Sequence, residues 1–314
     1  MTLLPALTPF DPDRLDDLHR AVLGWYAENA RDLPWRRPDA TAWGVLVSEV
    51  MLQQTPVARV LPVWSQWLTR WPTPADLAAE PPGEAVRAWG RLGYPRRALR
   101  LHGAATAIVE RHGGAVPADL LELRALPGVG AYTAAAVAAF AFDRRHAVVD
   151  TNIRRVLARV VDGRALPAAS LTAAETRLAE RLLPADESST DEPPLSPTWN
   201  VAVMELGALV CTARSPRCEA CPVRDHCRWH GLGRPAHDGP PRRGQAWSGT
   251  DRQVRGRIMA IVRAAHGPVT LGQLSDAWED EEQGMRCLES LLADGLLEAL
   301  DDQREKLALP GMHR

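Results

Sequence analysis

Apolar positions recur three and four residues apart through most of the chain, the spacing of amphipathic helices. Leu15, Leu18, Val22, Leu23 and Trp25 predict a helix over 14–29, with Asp11 or Asp13 as its cap. Trp43 to Gln54 reads as the second helix and Pro56 to Leu68 as the third, with Pro56 suited to a first turn. Shorter helices follow at 75–80, 84–91 and 96–111, then at 152–161, 170–182 and from Trp199 to Val210. The alternation of a strand is nearly missing, and Ala147-Val148-Val149 is too short to build a sheet on. The first 230 residues therefore read as all-α. The acidic, Ser- and Pro-rich stretch Ala185 to Pro197 reads as a flexible loop, and residues 231–249, with Pro235, Pro240 and Pro241, as a linker. Beyond it, helices at 250–265, near Leu271 to Trp278 and at 283–293 precede two short runs, Leu296 to Leu300 and Lys306 to Leu309, that fit a hairpin. Three helices and a hairpin predict a small C-terminal winged-helix-like domain over 250–314.

One stretch organises the rest. Leu126-Pro127-Gly128-Val129-Gly130-Ala131-Tyr132-Thr133 lies between a helix starting near Pro117 and an Ala-rich helix running to Phe142. Pro127 stops the first helix. Gly128 and Gly130 are expected to permit backbone angles closed to other residues and to let another backbone come close. Turn amides at the start of the next helix form an anion site suited to a nucleic-acid phosphate.

Composition sharpens this in two ways. The net charge is -2, so no global basic field advertises nucleic acid, but Arg87, Arg91, Arg96, Arg97, Arg100 and Arg111 cluster against the single acid Glu110. Of the 37 basic residues only one, Lys306, is a lysine, so amine nucleophiles are all but excluded. There is no signal-peptide pattern, and no run approaches the roughly 18 apolar residues of a membrane span. Four of five cysteines crowd together, which reads as metal ligation in a reducing cytosol.

Those four, Cys211, Cys218, Cys221 and Cys227, are spaced C-x6-C-x2-C-x5-C. Structural zinc is the competitor, but its ligands usually come as two close pairs with a longer loop between. Here one close pair sits in a compact loop of four thiolates, which can wrap a [4Fe–4S] cube. Cys287 stands alone on an apolar helix face and reads as core.

The LPGVG hairpin, Asp150 about 20 residues later and this cysteine spacing together resemble the helix-hairpin-helix DNA glycosylases of the endonuclease III superfamily. Ser48-Glu49-Val50-Met51-Leu52-Gln53-Gln54-Thr55 looks like the signature of its MutY-type adenine DNA glycosylases, and Leu92-Gly93-Tyr94 and Glu205-Leu206-Gly207-Ala208 fit the same family. The resemblance implies a catalytic core over 1–230, with a six-helix barrel at about 33–144 and a cluster domain from 1–32 and 145–230. It implies a [4Fe–4S] cluster and, as substrate, duplex DNA carrying adenine opposite 8-oxoguanine or guanine. A cytoplasmic, nucleoid-associated monomer without membrane contact is expected.

Cleaving a purine from deoxyribose requires an acid to protonate the base and a carboxylate to stabilise the cationic sugar. Glu49 sits in an otherwise apolar helix, where desolvation favours the protonated form. Asp150 precedes Thr151-Asn152 and a helix, a position that also suits a cap. In the resembling family the residues matching Glu49 and Asp150 hold the two catalytic roles, and Asn152 belongs to their network. Bifunctional relatives carry a lysine where this chain has Tyr132, so a monofunctional hydrolase without lysine-based lyase activity is expected. The target base must leave the stack. The resemblance points to Gln54 and Tyr94 as wedges in the gap, with Leu52 nearby. Gly128, Gly130, Arg96 and Arg97 are expected on the phosphate backbone, with Arg214 and Arg217 in the cysteine loop. Trp35 and Arg36 match a segment near the base pocket.

Three departures stand out. Residues 250–314 are too short for the Nudix-like domain that reads 8-oxoguanine in many members and look instead like those of short actinobacterial forms. Pro95 follows Tyr94 where a second Tyr is common. Thr151 stands where Gly is usual.

Overall fold

The computed structural model describes residues 12–185, 194–237, 239 and 248–312. The expected Asp11 cap, the centre of the acidic loop and much of the linker's second half lie outside them. The helices are α1 (Pro12–Asn29), α2 (Ala42–Leu52), α3 (Val57–Arg70), α4 (Pro74–Ala78), α5 (Pro82–Ala88), α6 (Arg96–His112), α7 (Leu120–Arg124), α8 (Ala131–Phe142), α9 (Thr151–Val160), α10 (Ala173–Arg181), α11 (Leu195–Leu209), α12 (Arg228–Gly231), α13 (Asp251–Ala264), α14 (Leu271–Leu274) and α15 (Glu281–Ala293). The strands are β1 (Val269–Thr270), β2 (Glu298–Ala299) and β3 (Lys306–Ala308). Two compact units form, residues 1–38 with 134–240 and residues 39–133 with 241–314.

In the first unit α1, α9, α10 and α11 share a core. Leu18 and Val22 on α1 meet Ile153, Val156, Leu157 and Val160 on α9 and Trp199, Val203 and Leu206 on α11. Burying each such side chain fully contributes about 1.5–3 kcal/mol. Unusually for an amphipathic helix, α9 buries Arg154, Arg155 and Arg159 as well. Every one of these guanidiniums has acceptors, as burial demands. Arg154 pairs with Glu175 at 2.8 Å, a residue that also closes the capping box of α10 with Thr172. Gly207 on α11 has a steric reason to be glycine: a Cβ there would lie 2.7 Å from Cβ of Asn152.

The second unit is built on a Trp cluster. Trp67, Trp71 and Trp89 are all 0–1% exposed, with Trp67 edge-on to both of the others at 4.7 and 5.7 Å. Thr41 caps α2 and a Thr73–Asp76 capping box starts α4. Within this unit the C-terminal residues make a winged-helix-like arrangement. Its three-stranded antiparallel sheet has the order β1-β3-β2, with Val269 opposite Leu307 and Glu298 opposite Ala308. The expected hairpin is present, and a third strand, too short to show in the sequence, completes the sheet. Lys306 is exposed on β3, opposite Thr270.

Candidate functional site

The hairpin forms as the sequence predicts, with Asp119 accepting from the backbone N–H of Leu121 and Glu122 to start α7. Val129 N–H donates to the Leu126 carbonyl at 3.1 Å and closes the turn before α8. Gly128 is left-handed at φ 79°, and a Cβ there would sit 2.6 Å from Cβ of Arg100. The two glycines differ, contrary to expectation. Gly130 is not left-handed, and nothing lies within 4 Å of where its Cβ would be. Its smallness leaves the turn open to approach from outside rather than solving a backbone angle. Tyr132 stands half-buried in the first turn of α8.

Glu49 lies in the middle of α2 and is 5% exposed, flanked by fully buried Ser48 and by Val50. The helix ends at Leu52, two residues earlier than its pattern suggests. Gln53 leaves helical angles, and Gln54 is exposed and left-handed at φ 56°. The Gln53 side chain donates to Thr133 Oγ1 at 3.3 Å and ties this exit to the start of α8. Leu52 is half-buried beside it.

Arg97 explains the early exit, and it is not the phosphate contact that was expected. It is 5% exposed. Its Nη1 donates to the carbonyls of Val50 at 3.0 Å, Met51 at 3.0 Å and Gln53 at 2.5 Å. Its Nη2 donates to Thr55 Oγ1 at 2.9 Å and to the Gly93 carbonyl at 3.0 Å. One guanidinium thus caps the C-terminus of α2 and joins the Gln54 turn to the turn bearing Tyr94. Burial pushes it down to about 10, so it stays charged at neutral pH. Tyr94 itself is left-handed at φ 47° and 47% exposed. Arg96 stays at the surface but pairs with Asp294 at 3.2 Å, and Arg87 is turned inward. Of the Arg cluster, Arg91, Arg100 and Arg111 are the members left exposed without such ties to the C-terminal residues.

In the first unit Asp150 does cap α9: its Oδ1 accepts from the Ile153 N–H at 2.6 Å. Its Oδ2 accepts from the Asn152 side-chain amide at 2.8 Å. Asn152 is held in turn, its Oδ1 accepting from Arg155 Nη2 at 2.8 Å. Burial raises the Asp150 carboxyl above its ordinary value, partly offset by these donors and by the Arg155 charge. Arg155 also donates to the carbonyls of Gly207 and Cys211, both at 2.7 Å, so a chain of bonds runs from Asp150 to the first cysteine. This arginine escaped sequence reasoning. A doubled arginine on the buried side of an apolar helix was the available signal.

All four cysteines line one space, walled by Val156, Leu206 and Trp229. Among the described residues no group of three or more His, Cys, Asp or Glu is arranged around a single metal ion. Four thiols lining one space are the donor set that a [4Fe–4S] cluster takes. Arg159 donates to Cys211 Sγ at 3.2 Å and to the carbonyls of Thr212 and Ala213 at 2.7 and 3.1 Å. Backbone N–H groups of Val223 and of Trp229 and His230 serve the sulfurs of Cys221 and Cys227. These donors favour thiolates, yet burial, with the charges of the three neighbouring cysteines, pushes the Cys221 thiol up to about 12. The iron of a bound cluster supplies the positive charge that such buried thiolates need.

Buried Glu205 accepts from Arg31 Nε at 2.6 Å and from Arg36 Nη1 at 2.9 Å, which holds it below the usual carboxylate range. That gives the Glu205–Gly207 segment its physical meaning: an ion-pair anchor, then a close approach at Asn152. Arg36 is therefore a structural partner here, next to the buried Trp35.

Residues 47–181 match the HhH-GPD superfamily of base excision DNA repair proteins, and residues 211–227 match the iron-sulfur binding domain of endonuclease III. An adenine DNA glycosylase of Mycobacterium tuberculosis is 51% identical over 98% of this chain and 98% of its own length. The chain belongs to the adenine DNA glycosylase family. Among solved structures, a thermostable thymine-DNA glycosylase superposes with a TM-score of 0.61 at 26% identity, covering 70% of this chain and 98% of the other. An endonuclease III–DNA complex, at a TM-score of 0.59 and 22% identity over 71% of this chain and 98% of the other, shares the fold. As an adenine DNA glycosylase the chain is a hydrolase of N-glycosyl bonds that binds DNA, and its cysteine loop is the site of a [4Fe–4S] cluster. Among the described residues no helix is long and apolar enough to cross a membrane.

Proposed function

We propose that this glycosylase removes adenine opposite 8-oxoguanine or guanine, with Glu49 as proton donor and Asp150 as the stabilising carboxylate. The observation that carries the reading is the fixation of Asp150. One oxygen is held by the start of α9 and the other by Asn152, so the carboxylate has one orientation. Protonation of the adenine ring makes it a neutral leaving group. The C1′–N bond breaks with its electrons going to the base, and the oxocarbenium-like sugar is stabilised by the ionised Asp150. Water adds at C1′ and gives up a proton, leaving an abasic site. With Tyr132 in place of an amine, no Schiff base forms and the strand stays intact. Gln54 and Tyr94 fill the gap, with Leu52 behind them, and the hairpin around Gly128 and Gly130 takes the phosphate backbone, joined by Arg96. The cluster shapes the loop that offers Arg214 to DNA rather than taking part in turnover. The enzyme works as a monomer on the chromosome in the cytoplasm.

The test is excision from labelled duplexes with A opposite 8-oxoguanine, A opposite G, T opposite G and thymine glycol opposite A, with and without alkali. Adenine release with breaks only after alkali is expected. Asp150→Asn should lower the single-turnover rate by about 100-fold or more while DNA binding persists. The raised carboxyl places the acid limb of the wild-type pH–rate profile above the ordinary Asp range, and the substitution should remove that limb. Breaks without alkali, or release of thymine or thymine glycol alone, would overturn the assignment.

A further inference from the structure

The turn from Trp89 to Tyr94 is an expensive piece of backbone. Gly90, Gly93 and Tyr94 are all left-handed, at φ 54°, 84° and 47°. For tyrosine this conformation is costly and persists only where the surroundings impose it. From inside, Trp89 Nε1 and Arg97 Nη2 both donate to the Gly93 carbonyl, at 2.9 and 3.0 Å. From outside, the grip comes from the C-terminal residues of the same unit.

Contacts at both ends of α5 and α13 make that grip. Arg263, near the end of α13, donates from Nε to the Val86 carbonyl at 2.9 Å and from Nη1 to the Gly90 carbonyl at 2.6 Å. Arg87 reciprocates from α5, donating to the carbonyls of Arg263 at 2.6 Å and Ala265 at 2.8 Å. The backbone closes at the other end of α5, where Gly83 N–H donates to the Pro310 carbonyl at 2.7 Å. A Cβ on Gly83 would lie 2.4 Å from Met312 Cγ and 2.7 Å from that carbonyl, so the approach is built in. At the opposite end of α13, the Arg252 guanidinium lies over the Tyr94 ring, 5.4 Å from its centroid. Arg96, two residues on, pairs with Asp294, which also takes Arg255.

We infer that the C-terminal module sets the conformation of the Tyr94 turn, and that Arg252 and Arg263 are positioning residues for the excision reaction. Arg263 fixes the start of the turn through the Gly90 carbonyl. Arg252 fixes its end by a cation–π contact with the ring, over which Arg97 also lies, 5.6 Å from the centroid. The module thereby acts on chemistry through Tyr94. The inference rests on the reading of Tyr94 as the residue that enters the duplex.

The experiment is a double-mutant cycle in the full chain, read by single-turnover excision of adenine opposite 8-oxoguanine at saturating enzyme, with DNA affinity measured separately. Arg252 is exposed, so Arg252→Ala should leave thermal stability near wild type. It should slow excision by about three- to fivefold, the size of an exposed cation–π contact, with little change in affinity. Tyr94→Ala should slow excision more. In the Tyr94→Ala background Arg252→Ala should have no further effect, because its target is gone. Arg263→Lys, which keeps the charge but not the two-carbonyl fork, should give the same rate-without-affinity signature. Additive effects of the two substitutions, or an Arg252→Ala rate equal to wild type while Tyr94→Ala is slow, would overturn the inference and leave the Tyr94 reading intact. An unchanged rate in Tyr94→Ala would overturn both.

Discussion

The two units differ in whether carboxylates accompany their buried cations. In the first, Arg31 and Arg36 share Glu205 and Arg154 meets Glu175, so carboxylates take up much of the buried charge, although Arg155 and Arg159 beside the cysteine loop rest on carbonyls. In the second, Arg97 and Arg263 meet backbone carbonyls, and burial pushes both down to about 10. Carbonyls at a helix C-terminus carry only partial negative charge. The second unit therefore keeps uncancelled positive charge close under the Gln54 and Tyr94 turns. A guanidinium can favour a nearby phosphate without touching it, so we propose that Arg97 combines its structural task with an action on DNA through its charge alone. In the first unit the same residue type is spent on rigidity around Asp150 and the cysteine loop.

The sharpest way to break this contrast is to remove a counter-ion. Glu205→Ala leaves Arg31 and Arg36 facing an empty site and should cost about 3–5 kcal/mol, read as a large fall in melting temperature. The wild-type pair also makes a pH statement. Glu205 is held below its ordinary value, so its contribution is complete above the unfolded value of about 4.3 and is lost as pH falls through the folded one. Acid should accordingly loosen the first unit's ion pair and leave the Arg97 and Arg263 contacts unaffected, which amide hydrogen exchange on Arg31–Arg36 against Val50–Thr55 would resolve.

Next in size is Arg97→Met. It removes the cation under the Gln54 turn and leaves the carbonyls of Val50, Met51, Gln53 and Gly93 without their shared donor. A cost of about 2–3 kcal/mol is expected by denaturant unfolding, with a loss of DNA affinity that shrinks as salt rises. An equal loss of affinity at low and high salt would show that the charge acts only through the shape of the turns. Smallest is Gly128→Ala, which meets both a left-handed angle and the Arg100 side chain 2.6 Å away. It should cost about 1–2 kcal/mol, while Gly130→Ala, with open space at its Cβ, should be tolerated in folding and tell on DNA binding instead.

Local features of the site were legible in the sequence because they follow from local physics. Helix period, the Pro127 stop, the Asp150 cap and the cysteine spacing need no distant partner to be recognised. The fate of the arginines was not legible. Arg96 and Arg97 are neighbours in one basic run, yet one stays exposed and the other is sealed inside, because α6 turns residue 97 toward the end of α2, more than 40 residues earlier. The same distance hid the early end of α2: nothing near Gln54 says that a donor from elsewhere will take the last carbonyls. The Arg87–Arg263 exchange spans still more chain and leaves no periodic trace. Glycine was half legible, since sequence shows that two glycines flank Val129 but not that one serves an angle and the other an approach.

Lys306 offers a practical consequence of the chain's near-total preference for arginine. It is exposed on β3 and is the protein's sole side-chain amine. Amine-directed dyes coupled above neutral pH would mark one defined point on the wing, apart from the chain's own N-terminus. A fluorophore there would report the distance from the C-terminal module to a labelled lesion in single molecules, without a cysteine introduced to compete with the cluster ligands.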